Sequence, residues 1–163
     1  MEEQKVKVFC ITGTPGTGKT TLSRKIAKDK GYYYLDVTEF IKEGKIHEGY
    51  DRSSKAYIID EDVLVRELRK FLGYLKQNLI KGVVIDSHMS HYLPASIVDK
   101  CIVTKCDLKV LNKRLIKRGY GRNKIRENLD AEIFNVCFEE AKKRKHKILL
   151  IDTSLGVRGM KFK

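Results

Sequence analysis

Eight consecutive residues, Gly13-Thr14-Pro15-Gly16-Thr17-Gly18-Lys19-Thr20, leave this chain little choice of local geometry. They spell G-x-x-x-x-G-K-T between a β-branched stretch, Val6 to Ile11, and a segment whose Leu22 and Ile26 fall at i, i+4 spacing. A strand therefore runs into a helix through a turn that holds Gly13, Gly16 and Gly18. Glycine is what that turn needs if several backbone N–H groups are to face one anion with no Cβ in the way. Lys19 is then placed to reach the β- and γ-phosphates of ATP, and Thr20 to offer its hydroxyl to Mg²⁺. The positive end of the helix adds to the same anion site. The other reading, a glycine-rich turn that binds nothing, fits poorly with a complete motif and both flanks.

At 163 residues the chain is expected to form one domain, 1–163, with a substantial core. Lys and Arg number 34 against 21 Asp and Glu, a net charge of +13. A nucleotide site needs only local positive charge, so this excess points either to RNA or another polyanion nearby, or to a general lysine bias. Met1 to Lys5 is charged and leads straight into the first strand, and no apolar run is long enough to span a membrane. A soluble, intracellular protein is expected, cytoplasmic, or nuclear in a eukaryote. The four cysteines, at 10, 101, 106 and 137, lack the paired spacing of a zinc site. Cys10 and Cys101 read as core residues, and a Cys106 to Cys137 contact is open.

Gly31 is placed to stop the first helix, and Tyr32 to Leu35 reads as a second strand. Residues 36 to 59 are polar, with a short helix over Thr38 to Glu43 and glycines at 44 and 49. They form either a small mobile subdomain over a substrate or an ordinary surface connection. Asp60-Glu61-Asp62 opens a long helix whose Leu64, Leu68, Leu72, Leu75 and Leu79 mark a buried stripe. Gly82 leads into Val83-Val84-Ile85-Asp86, an apolar strand expected in the middle of a parallel sheet. Asp86 would then lie beside the phosphate loop, where it can hold the hydration shell of Mg²⁺. Asp86, His88 and His91 could instead form a metal cluster. His88 either orients a water or touches the transferring phosphoryl group, or it is a hydrogen-bonded structural residue.

A strand over Ile97 to Thr104 follows, then a helix capped by Asp107 and carrying Leu108, Leu111 and Leu115. Arg114, Lys117, Arg118, Arg122, Lys124 and Arg126 crowd around Gly119-Tyr120-Gly121. A basic hinge between helices suits a lid that brings cations over a triphosphate on closing. A charge run can also be a plain solvated face. A continuous helix is predicted over Arg122 to Lys145, burying Ile125, Leu129, Ile133, Val136 and Cys137. The strand Lys147 to Asp152 makes five, and Asp152-Thr153-Ser154 falls where backbone groups could hold an adenine base. Val157 to Lys163 reads as a basic, flexible tail.

The stretch Thr12 to Thr21, the triplet Asp86-Ser87-His88, Arg114-Leu115, Arg118-Gly119-Tyr120, Lys124 to Asn128 and Glu132-Ile133-Phe134 together resemble the atypical adenylate kinases of archaea and eukaryotic nuclei. The resemblance implies a three-layer α/β P-loop fold with a five-stranded parallel sheet flanked by helices. It also implies a broad-specificity nucleoside monophosphate kinase with ATPase activity, acting on AMP among other acceptors. Such proteins assist small ribosomal subunit maturation by binding a platform ribosomal protein, with pre-rRNA nearby. Gly13, Gly16, Gly18, Lys19, Thr20 and Thr21 would hold ATP, Thr20 and Asp86 the metal, and Arg118 would be the lid arginine. Asp86 and His88 match the Walker B acid and histidine of the family. Residues 36–59, with Asp36 and Lys42, would bind the monophosphate, and 118–128 would form the lid. Two departures stand out. His91-Tyr92-Leu93-Pro94 replaces an arginine that ordinary adenylate kinases carry after the third strand. Lys42 offers a point charge where relatives can carry a bidentate arginine. Two other classes stay in view: an assembly factor whose ATP cycle switches partner affinity, and a small-metabolite kinase of the shikimate or gluconate type.

Overall fold

The computed structural model describes residues 5–162, so Met1 to Gln4 and the last residue of the tail lie outside the described residues. Five parallel strands form one sheet in the order β2-β5-β1-β6-β7, from β1 (Lys7–Thr12), β2 (Tyr33–Asp36), β5 (Gly82–Asp86), β6 (Lys100–Lys105) and β7 (Ile148–Asp152). Gly82 to Asp86 is buried at every position, as a strand covered on both faces must be. The register sets Cys10 beside both Ile85 and Cys101, so the centre of the sheet is apolar throughout.

Helices cover both faces. One core joins Val8, Cys10, Val83, Ile85 and Val103 to Leu64, Leu68 and Leu75 of α3 (Glu61–Gln77) and to Ala141 of α6 (Val136–Lys143). The opposite core joins Phe9, Ile11, Val84 and Ile102 to Leu22 and Ile26 of α1 (Lys19–Lys30). A third cluster gathers Leu111 and Leu115 of α4 (Leu108–Lys117) with Ile125 and Leu129 of α5 (Arg122–Ile133). Between β2 and α3 the chain forms α2 (Val37–Gly44) and a two-stranded antiparallel hairpin, β3 (Gly49–Asp51) with β4 (Ala56–Ile58). Among the described residues no helix is long and apolar enough to cross a membrane.

Four expectations are corrected. The fourth sheet strand starts at Lys100, not Ile97. The stretch before it is a turn in which Asp99 takes the Val8 N–H on its carboxylate at 2.9 Å and returns its own N–H to the Val8 carbonyl at 2.9 Å. Leu79 does not extend the stripe of α3. Its φ is +55° and it is 77 % exposed, because Asn78 donates its side-chain amide to the Tyr74 carbonyl and ends the helix. The helix predicted over 122–145 breaks at Phe134-Asn135, where Asn135 is left-handed with φ 53°. Ile133 and Val136 are consequently exposed. The tail is not loose, since Val157 is buried and Met160 and Phe162 pack against the core beside α1. All four cysteines are free thiols, and Cys10 and Cys101 lie in the core.

Candidate active site

The loop between β1 and α1 is held from both sides. Gly13 has φ +146°, and a Cβ there would sit 2.2 Å from Oγ1 of Thr104 at the end of β6, so no other residue fits. Thr17 donates its hydroxyl to the Thr14 carbonyl at 2.6 Å, which closes the loop on itself. Gly18 is the left-handed cap of α1, with no side-chain cap and no acid in the first turn, so the helix N–H groups and its positive pole are open to an anion. The Lys19 ammonium lies in the mouth of this cradle and donates to the carbonyls of Gly13 and Thr14 at 2.9 and 3.1 Å.

Burial pulls the Lys19 pKa down to about 8, partly opposed by the nearby Asp86 carboxylate. A half-desolvated cation of this kind gains from an anionic ligand. Asp86 is itself buried. Its Oδ2 accepts a hydrogen bond from the Tyr34 hydroxyl at 2.8 Å, and burial followed by the Asp86 charge pushes that phenol up, so it remains a donor.

A cleft of about 270 Å³ opens along the carboxyl edge of the sheet. Lys19, Thr20, Asp86, His88 and Arg118 meet there, with Gly16 at its base. The far wall comes from α2 and the hairpin, through Asp36, Ser54, Lys55 and Tyr57. Four basic side chains, Lys19, Lys55, Arg118 and Lys124, face two carboxylates, Asp36 and Asp86. Desolvation by surrounding protein atoms, and then the Lys19 charge, push His88 down to about 4, although the residue as a whole is exposed where it lines the cleft. At neutral pH it is an uncharged imidazole with a lone pair to offer. A second groove of about 490 Å³ adjoins the first through Arg118 and is lined by Gly18, Thr21, Arg114, Lys117 and Thr153. Arg114 donates to the Thr153 carbonyl at 2.8 Å, and the Thr153 hydroxyl donates to the Thr17 carbonyl at 2.5 Å, so the 152–154 segment is tied to the loop.

Most residues singled out in the sequence come together here, with two qualifications and one exception. Gly13 lies behind the loop against Thr104, and Asp36 both lines the cleft and caps α2 by accepting from the N–H groups of Thr38 and Glu39. Lys42 is the exception. It projects from the exposed side of α2 and pairs with Glu39 at 3.7 Å, away from the cleft. His91 takes no part in a metal cluster: its ring nitrogens engage Thr12 Oγ1 at 2.7 Å and Glu140 Oε2 at 2.8 Å, and no such cluster exists among the described residues. Sequence reasoning missed Tyr34 behind Asp86 and Lys55 on the far wall of the cleft. Asp51 followed by Ser53 and Ser54, between Tyr50 and Tyr57, was the available sign of a hairpin.

A family model described as an AAA domain matches residues 10–135. The adenylate kinase isoenzyme 6 homolog of Dictyostelium discoideum is 37 % identical over 142 residues, which is 87 % of this chain and 78 % of that protein. The chain belongs to the adenylate kinase isoenzyme 6 family. A Methanocaldococcus jannaschii relative, described provisionally as an adenylate kinase, is 37 % identical across 90 % of this chain and 76 % of its own length. An unliganded sugar kinase from Janibacter sp. aligns with a TM-score of 0.58 at 17 % identity, over 90 % of this chain and 85 % of that one, a likeness of fold alone. The family membership makes the protein a nucleotide-using phosphotransferase, and the cradle, the acid and the basic hinge are the parts such a reaction needs.

Proposed function

We propose that the protein is a broad-specificity nucleoside monophosphate kinase that converts ATP and AMP to two ADP, with a background ATPase activity. The observation that carries this reading is the meeting of Lys19, Asp86 and Arg118 on one cleft whose opposite wall is the 36–59 segment. ATP would lie with its phosphates in the 13–20 loop and its base along the groove of Thr21, Arg114 and Thr153. Thr20 and Asp86 supply the hard oxygen donors that Mg²⁺ prefers, and with one Asp86 oxygen held by Tyr34 the carboxylate is already oriented. The ion, when bound, would neutralise charge on the β- and γ-phosphate oxygens.

The acceptor phosphate then meets Lys55 from the hairpin and Lys124 from the lid, since Lys42 is turned away. An acceptor oxygen attacks the γ-phosphorus in line as the bond to the ADP leaving oxygen breaks, and no covalent enzyme intermediate is needed. Lys19 and Arg118 offset the charge that spreads over the transferring group. His88, neutral, fits the task of orienting a water when no acceptor is bound.

The test is product analysis of ATP with each nucleoside monophosphate in turn. Nucleoside diphosphate formed from the added monophosphate, well above the phosphate released without one, supports the reading, and inorganic phosphate as the only product whatever the acceptor contradicts it. The net charge of +13 favours a second role beside the first, in which the same ATP cycle assists small-subunit maturation through a platform ribosomal protein or pre-rRNA. Faster ATP hydrolysis on adding that ribosomal protein is the expected sign, and an unchanged rate would remove this role.

A further inference from the structure

Glu132 stands in the last turn of α5, at the negative pole of its own helix, and is only 5 % exposed. A carboxylate there is both desolvated and placed against the helix dipole, so helix stability does not explain it. Its two oxygens are taken up by the phosphate loop on one side and the end of β6 on the other. Oε2 accepts from the Thr14 hydroxyl at 2.7 Å, and Oε1 accepts from the Cys106 N–H at 3.0 Å and pairs with Lys105 Nζ at 2.9 Å. Thr14 is itself buried, and its carbonyl receives the Lys19 ammonium and the Thr17 hydroxyl. The other end of α5 begins at Arg122 beside the Gly119-Tyr120-Gly121 hinge, and Lys124 reaches the cleft. Twelve helical residues make a stiff rod about 18 Å long. The left-handed turn at Asn135 stops the rod just past Glu132.

We infer that Glu132 is a positioning residue for the donor nucleotide. It fixes the orientation of Thr14 in the phosphate loop and pins the far end of the lid helix to the same point, so that loop shape and lid position are set together. This rests on the phosphoryl-transfer reading above and adds to it a residue that touches no substrate.

The experiment compares native protein with Glu132→Gln, Thr14→Val and the double variant. It measures the Kd of ATP by calorimetry with Mg²⁺ present, the KM of AMP at saturating ATP, and thermal unfolding. Each single variant is expected to weaken ATP by roughly tenfold, the usual scale for losing a buried charged hydrogen bond. The AMP KM is expected to rise less than the ATP Kd, because the acceptor phosphate keeps its Lys55 contact while only Lys124 moves with the lid helix, and the double variant is expected to be no worse than the poorer single one, because both remove one interaction. ATP affinity within about twofold of native in either single variant would overturn the inference, as would additive losses in the double variant. Equal loss of ATP and AMP binding in Glu132→Gln, together with a lowered Tm, would also overturn it, because that is what a purely structural role gives. If Glu132→Gln does not fold, Thr14→Val leaves the Glu132 and Lys105 pair intact and decides alone. Failure of the native protein to bind ATP would be a different result, and would overturn the phosphoryl-transfer reading itself.

Discussion

At the scale of single residues, Lys19 joins a strong sequence motif to a measurable titration. Its pKa is lowered to about 8 from the ordinary 10.5, chiefly by burial. The cation is the form that binds phosphate, so ATP affinity should be level below about pH 7 and fall as pH rises through 8, by up to about tenfold per unit. A bound triphosphate raises the pKa again, so calorimetry near pH 8 in buffers of different ionisation enthalpy should report proton uptake on binding. A pH-independent affinity up to pH 9.5, or proton release, would contradict this assignment of the ammonium. The same shift makes ligand-free stability rise with pH between about 8 and 10.5, because the unfolded chain binds the extra proton in that window. Lys19, Thr20 and Asp86 were legible because motif spacing and a strand end fix where such residues fall, and Arg118 because it stands in the basic cluster at the Gly119-Tyr120-Gly121 break. Tyr34 and Glu132 were not, since one lay in an aromatic strand and the other in a charged helix. Their roles come from partners 52 and 118 residues away in sequence, Asp86 and Thr14.

At the scale of elements, the strands and the first helices followed from apolar runs and caps, whereas endings were set by contacts no local pattern contains. The break in the helix after Phe134 is the clearest case. Apolar spacing continues through it, but a left-handed Asn135 turns the chain so that α6 packs on the sheet. Replacing Asn135 by Ala should cost about 1 kcal/mol, and replacing it by Gly should be close to neutral, because only the Cβ penalty differs. Urea unfolding of the two variants checks the order, and equal stabilities would show that the turn is unstrained. The hairpin was hidden by the polar composition of residues 36–59, and it carries Lys55 to the tip with φ +52°. There the ammonium lies 3.5 Å from the Gly119 carbonyl and 5.6 Å from the centre of the Tyr120 ring, so the far wall of the cleft touches the glycine break between α4 and α5. Lys55→Ala should raise the KM of AMP by roughly tenfold while leaving that of ATP near native, as expected for loss of one charged phosphate contact. Steady-state kinetics with each substrate varied would show it, and an unchanged AMP KM would return the acceptor phosphate to other groups.

At the scale of the whole molecule, the strand order explains why these parts meet. The chain leaves β1 for β2 and β5 on one side and for β6 and β7 on the other, so a crevice forms at the carboxyl ends where the order reverses. The phosphate loop occupies that crevice, Asp86 flanks it from β5, and the basic α4–α5 segment with Arg118 and Lys124 follows β6, so one topology brings acid, cradle and cations together. The 13–20 loop is expected to pass the γ-phosphoryl group of ATP to a monophosphate held by the opposite wall. This transfer is tested most directly by incubating the protein with AMP and ATP labelled at the γ-phosphate, beside Lys19→Ala. Native protein should place the label in ADP, and the variant should be slower by at least about a hundredfold, the scale of removing one preorganised charge stabiliser. Label released only as free phosphate, or carried to ADP equally well by Lys19→Ala, would contradict that transfer.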